Sequence, residues 1–434
     1  MKLRLLLFAA SASMLVFAVG CGGGSGSGTG GGGGGTPTTV TFTFNGPMPM
    51  AVAAKVGNGA FASQTLNSGV LTLSIPTGTS TFALAYVCQP LTLAVGTSTA
   101  EQTVQAVLEA TTADGTSFSR TCPATPAAAQ TGPLAVNVDA SGVPGTTTLV
   151  VDALNGSSLA SGVFQGATAN SSFMAPSGDD RVEVFAFNEQ TQGIAESLSL
   201  VAARNFDGEP VPGSLNGGSA VILGDADRTN SEPITYSSIP SGYTAPAMLV
   251  RFDMGNAGVA VIADDASSQY PALPAAAVES GDFYGFSASA HNSSNIGESV
   301  LVDTTAATAG PVTIAFPAPW TYAGPAPAAL PTFNFNYAGF SGSGAIETAS
   351  VIWSASALQQ NLYEVSATTN YQGGSTMVSL PDLSGLAGFL AQPASGTNVF
   401  WGALMEQSSW PPFQAMPLGA TATVVTNAGS FSVP

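Results

Sequence analysis

The sequence predicts an all-β protein built from tandem antiparallel β-sandwiches, and three observations carry that reading. Apolar residues alternate with polar ones, helix-favouring residues are scarce, and similar stretches recur about a hundred residues apart.

The alternation comes first. In "TVTFTFN" Val40, Phe42 and Phe44 share a phase, and in "GVLTLSIP" so do Leu71, Leu73 and Ile75. Phe82, Leu84, Tyr86 and Cys88 follow in "STFALAYVC", then Val104, Ala106 and Leu108 in "TVQAVLEA". Side chains on a strand point alternately to its two faces, so each set marks a half-buried strand. Composition agrees: 45% of the 434 residues are apolar and only 8% charged, so the Glu, Lys and Arg that helical proteins use freely are scarce.

The repeat is clearest between "PSGDDRVEVFAFNEQTQGIAESLSLV" from Pro176 and "ESGDFYGFSASAHNSSNIGESVLV" from Glu279. Ser177-Gly178-Asp179 matches Ser280-Gly281-Asp282, and Ile194-Ala195-Glu196-Ser197 matches Ile296-Gly297-Glu298-Ser299. A weaker copy, "IPTGTSTFALAY" from Ile75, sets Pro76 and Gly78 against Pro176 and Gly178. Each copy reads as a glycine turn, a strand, a polar loop and another strand. The spacing is that of one sandwich, which divides the chain at 38–132, 133–215, 216–330 and 331–434. The strands Phe82 to Cys88, Val182 to Asn188 and Phe286 to Asn292 are expected in equivalent positions, with Leu84, Val184 and Ala288 buried.

Residues 1–20 read as an export signal, with Lys2 and Arg4 before an apolar run from Leu5 to Val19 that is short for a membrane span. The run ends in "AVGC", Ala18 to Cys21, which resembles the lipobox of bacterial lipoproteins, with Ala18 where that family more often has leucine. The resemblance implies lipidation of Cys21 and attachment to the membrane through an N-terminal lipid. Gly22 stands where an inner-membrane retention aspartate would, which favours the outer membrane or cell surface. Gly22 to Gly35 is almost all glycine and serine, a flexible tether with a reach of about 20 Å. With Cys21 set aside, Cys88 and Cys122 remain as one pair, and an oxidising compartment favours a disulfide between them.

"ASVIWSASALQQNLYEVSAT" and the stretch after it resemble a fibronectin type III domain. The resemblance implies that Trp353 packs over the strand of Tyr363, with Leu383 or Leu386 before the next corner. The tyrosine expected at that corner is absent, so another immunoglobulin-like variant stays open.

Chemistry is sparse. The formal charge is −18, and loss of Lys2 and Arg4 with the signal makes it more negative, so a phosphate-binding groove for nucleic acid is not expected. The single histidine, His291, falls on a polar strand face. No serine-nucleophile elbow or zinc-binding pattern is present, and Asp179-Asp180 and Asp264-Asp265 read as turn residues. In "GDADRTNSE" Asp225, Asp227 and Thr229 alternate as calcium ligands do, but Arg228 and the missing twelfth-position glutamate argue against an EF-hand. A solvated acidic loop is the expectation and a calcium-stiffened junction the alternative. Two functions compete: a non-catalytic envelope lipoprotein that is structural or adhesive, meeting envelope or S-layer proteins, and a cell-surface glycan binder that stacks sugars on Trp353, Trp401 and Trp410.

Overall fold

The computed structural model describes residues 36–434 except 96–97, 124–130, 156–157, 193–194, 256–258, 265, 267, 341–344, 357 and 415. The expected signal, Cys21 and the whole of the expected glycine tether lie outside the described residues. The body is all-β and contains four sets of strands.

The first set is β1 (Thr38–Asn45), β2 (Ala51–Val56), β3 (Ala62–Ser63), β4 (Val70–Ile75), β5 (Thr81–Val87), β6 (Leu91–Val95), β7 (Ser98–Thr111) and β8 (Ser117–Thr121). Strand β1 pairs antiparallel with β4 and parallel with β8. It faces a second layer in which β5 lies between β2 and β7.

The second set is β9 (Thr131–Asp139), β10 (Thr148–Asn155), β11 (Ser158–Gln165), β12 (Thr168–Pro176), β13 (Gly178–Gln192), β14 (Ala195–Val211), β15 (Gly213–Ser214) and β16 (Val221–Ile222). It repeats the plan: β9 pairs antiparallel with β12 and parallel with β15 and β16, and β13 lies between β10 and β14. Because β16 still pairs with β9, this set extends past the expected limit at 215.

The third set is β17 (Asn230–Ser237), β18 (Ala247–Asp253), β19 (Val259–Ala263), β20 (Gln269–Ala272), β21 (Phe283–His291), β22 (Ser299–Ala306) and β23 (Val312–Ala315). Strand β17 pairs with β20 and β23 as before, and β21 lies between β18 and β22. The fourth set is β24 (Thr332–Asn334), β25 (Ala345–Ser356), β26 (Gln359–Thr368), β27 (Met377–Ser379), β28 (Asn398–Ser408) and β29 (Thr421–Ser432). Here β24 pairs with β27, and β28 lies between β25 and β29.

The repeated stretches therefore occupy one position, since β5, β13 and β21 are each the central strand between an earlier and a later neighbour. Leu84, Val184 and Ala288 are all buried there. The preceding turn glycines, Gly78, Gly178 and Gly281, all take positive φ, which a side chain disfavours. The first strand pairs with the fourth rather than the second, so strand order departs from the immunoglobulin ABED/CFG plan while the two-layer architecture is kept.

The larger sheets are fused edge to edge into one sheet of seventeen strands. Strand β14 meets β19, β22 pairs antiparallel with β29, and β26 pairs parallel with β7. Across this sheet the sets run second, third, fourth, first, so chain order is not spatial order. Both faces of its ends are covered. Val182, Val184 and Ala186 of β13 fill the second sandwich, while Phe185 and Phe187 join a long core that runs through the third and fourth. Likewise Leu84 and Leu108 fill the first sandwich, and Ala85 and Val107 face the long core. The small sheets of sets one and two thus lie on the opposite face of the large sheet from those of sets three and four.

Candidate functional site

Cys88 and Cys122 are bonded, with S–S 2.07 Å and Cα atoms 5.4 Å apart. Cys88 follows β5 in the large sheet and Cys122 follows β8 in the small one, so the bridge ties the two layers of the first sandwich together.

The acidic loop is occupied by other partners. Asp227 accepts from the Arg204 guanidinium through both oxygens, one at 2.7 Å, and also takes the Gly224 N–H at 2.8 Å. Asp225 points to solvent and meets Arg228, and the Thr229 hydroxyl donates to the carbonyls of Leu200 and Val201. Asp225, Asp227 and Thr229 are therefore engaged separately, and among the described residues no three His, Cys, Asp or Glu side chains gather to hold a metal ion. Arg204 is on β14, so its pair with Asp227 fastens the second set to the segment leading into the third.

Trp353 is 5% exposed and Trp401 9%, both inside the long core, so neither ring offers a face for sugar stacking. Trp410 is half-buried and donates its indole N–H to the Gln414 carbonyl. On β28 it is Phe400, at 53%, that faces out. Trp353 and Tyr363 are near neighbours on the paired strands β25 and β26, opposite Asn361 and Val351 respectively. They lie side by side in one sheet, whereas the fibronectin resemblance placed the tryptophan over the tyrosine's strand. His291 is exposed, its ring beside the Thr244 hydroxyl. Asp180 is buried and accepts from Asn155; Asp264 accepts from the Leu198 N–H; Asp265 lies outside the described residues.

Two features were not singled out from the sequence. The first is a charged seam between the second and third sets. The Arg181 guanidinium on β13 donates to both Asp282 oxygens at 2.8 and 2.7 Å and to Glu183 at 2.6 and 3.0 Å, and lies 3.2 Å from Glu279. Burial opposes the Arg181 charge, but the hydrogen bonds and charges of Asp282 and Glu183 outweigh it and hold its pKa above the usual range. Three carboxyls crowd this one cation, and burial pushes Glu183 up to about 8 in spite of Arg181. The guanidinium keeps its charge, and burial favours the protonated form of Glu183. Asp282 belongs to the repeated turn, so one copy of the repeat is bound to the central strand of the preceding copy.

The second feature is a cavity of about 210 Å³ at one end of the fourth sandwich. Glu347 of β25 shares its inward phase with Ala345, Ala349, Val351 and Trp353. It is 3% exposed, and its Oε2 has no hydrogen-bond partner among the described residues. Burial pushes its carboxyl up to about 7, with no neighbouring charge contributing. Phe335, Tyr337, Phe340 and Met405 supply the apolar wall, and Asn336, Ala338 and Gly374 line an exposed rim. The signal for Glu347 was readable as an acid in the inward phase of "AIETASVIW". No protein-family model matches this chain, and no curated protein is significantly similar to it.

Proposed function

We propose that this chain is a non-catalytic, lipid-anchored protein of the cell envelope, with a structural or adhesive role at the outer membrane or cell surface. The single observation that supports it is the seventeen-stranded sheet, which joins four sandwiches into one stiff slab. Separate sandwiches on linkers would hinge, whereas the ladders of β22 with β29 and β26 with β7, and the single β14–β19 pair backed by the Arg181 ion pairs, resist bending. A stiff acidic slab on a glycine leash suits a body that presents surface at a distance from the membrane, to envelope or S-layer proteins. The test is fractionation of cells that express the native chain or Cys21→Ser. The native chain is expected with membranes and the variant in the soluble fraction; equal detergent dependence of the two would overturn the anchor and with it this reading.

A further inference from the structure

We propose that the cavity beside Glu347 binds a small primary ammonium ion, its head against the Glu347 carboxylate and its carbons against Phe335, Phe340 and Met405. This goes beyond the envelope role and stands independently of it. A carboxylate buried with an oxygen that has no donor among the described residues is costly, and Glu347 lines the cavity although Oε2 itself is covered. What enters must therefore donate hydrogen bonds or carry positive charge.

The remaining wall selects the class. A hard divalent cation needs about six or more oxygen ligands, and this cavity offers one carboxylate among aromatic rings and a thioether. Aromatic faces attract organic cations, and Tyr337 and Phe340 pack edge to face at 5.0 Å as part of that wall. Ser375 adds a hydroxyl to the same lining. Size limits the ligand to a few carbons, because the volume falls below the roughly 300 Å³ at which sites for drug-sized ligands begin.

Among the described residues, none pairs with Glu347 as a cation. The described lining includes no Lys, Arg or His, and its other titratable group, Tyr337, donates its hydroxyl to the Ala318 carbonyl at 2.6 Å. The acids on neighbouring strands, Glu364 of β26 and Glu406 of β28, follow inward residues Tyr363 and Met405 and so face the other side of the sheet. At pH 8 Glu347 is largely ionised while an alkylammonium keeps its proton, so the two charges coexist there.

The experiment titrates the purified full chain at pH 8 with n-butylammonium, tetramethylammonium and n-butanol, using calorimetry and ligand-observed NMR. Butylammonium is expected to bind at least tenfold more tightly than butanol, and more tightly than tetramethylammonium, which has no N–H to donate. Glu347→Gln, which keeps the side-chain shape, should weaken butylammonium at least tenfold, and Phe340→Ala should weaken it as well. Independently of any variant, affinity of the native chain should rise at least fivefold from pH 6 to pH 8. Equal binding of butanol, unchanged binding by Glu347→Gln, or a flat pH profile would each overturn the assignment.

Discussion

Asp114, in the turn after β7, accepts hydrogen bonds from the Thr368 hydroxyl at 2.7 Å and the Asn370 amide at 2.6 Å, although those residues lie 254 and 256 positions further along the chain. The same carboxylate takes the N–H and hydroxyl of Thr111 at 2.8 and 2.9 Å, so it is buried with every contact a donor. It pins the first set to the fourth. Asp114→Ala strips a partner from several buried donors at once, each worth about 1–3 kcal/mol when left unsatisfied. Denaturant unfolding should show a loss of at least about 2 kcal/mol, and a change within about 0.5 kcal/mol would refute the pin.

The Cys88–Cys122 bridge spans 34 positions, for which loop-closure entropy gives roughly 3 to 4 kcal/mol. Reduction, or the double Cys88→Ala, Cys122→Ala variant, should lower the denaturation midpoint accordingly. Alkylation under denaturing, non-reducing conditions should label neither cysteine; labelling of both in freshly isolated protein would contradict the bond.

Stability should fall as pH rises from acid to mildly alkaline. Burial lifts Glu183 to about 8 and Glu347 to about 7, and it lifts Glu406 to about 7 with help from the nearby Asp303 charge. The folded chain thus keeps protons that the unfolded chain releases near 4.5, so stability present below that pH is lost through pH 7 to 8. Thermal unfolding at constant ionic strength should show a higher midpoint at pH 5 than at pH 8.5. Glu347→Gln should flatten part of the slope, and a midpoint that climbs with pH would exclude the mechanism.

The turn glycines offer a paired comparison. Gly281 has φ +99° with open space where a Cβ would go, so Gly281→Ala isolates the backbone cost, about 1–2 kcal/mol. A Cβ at Gly178 would fall 2.3 Å from Asn155 Nδ2 and disturb its bond to Asp180 as well. Gly178→Ala should therefore cost more than Gly281→Ala in the same unfolding assay, and the reverse order would count against turn equivalence.

Much of this was legible because side-chain phase records which face of a strand is dry. Val40, Phe42 and Phe44, or Leu71, Leu73 and Ile75, announce their strands and their burial, and the even pair left after Cys21 announces the Cys88–Cys122 bond. The edge joins were not legible. Pairing of β26 with β7 uses main-chain groups that any residue carries, so nothing in "EQTVQAVLEA" names its distant partner. The placement of the tryptophans was not legible for another reason: "NVFWGALM" is apolar on both faces, and only the packed neighbours decide that Trp401 is covered while Phe400 is not. Glu347 was visible as a breach of phase, yet a lone acid in an apolar register does not disclose the cavity around it.

The parallel join of β7 to β26 also sets a timetable. A chain delivered amino end first has Glu101 available long before Gln359, its partner 258 positions later. In that interval the first sandwich has an unfinished border of bare main-chain donors and acceptors, the kind that recruits strands from other molecules. Glu101 stands exposed on that border, a charge of the kind that blunts an open strand edge, whereas Glu109 is buried against Lys55.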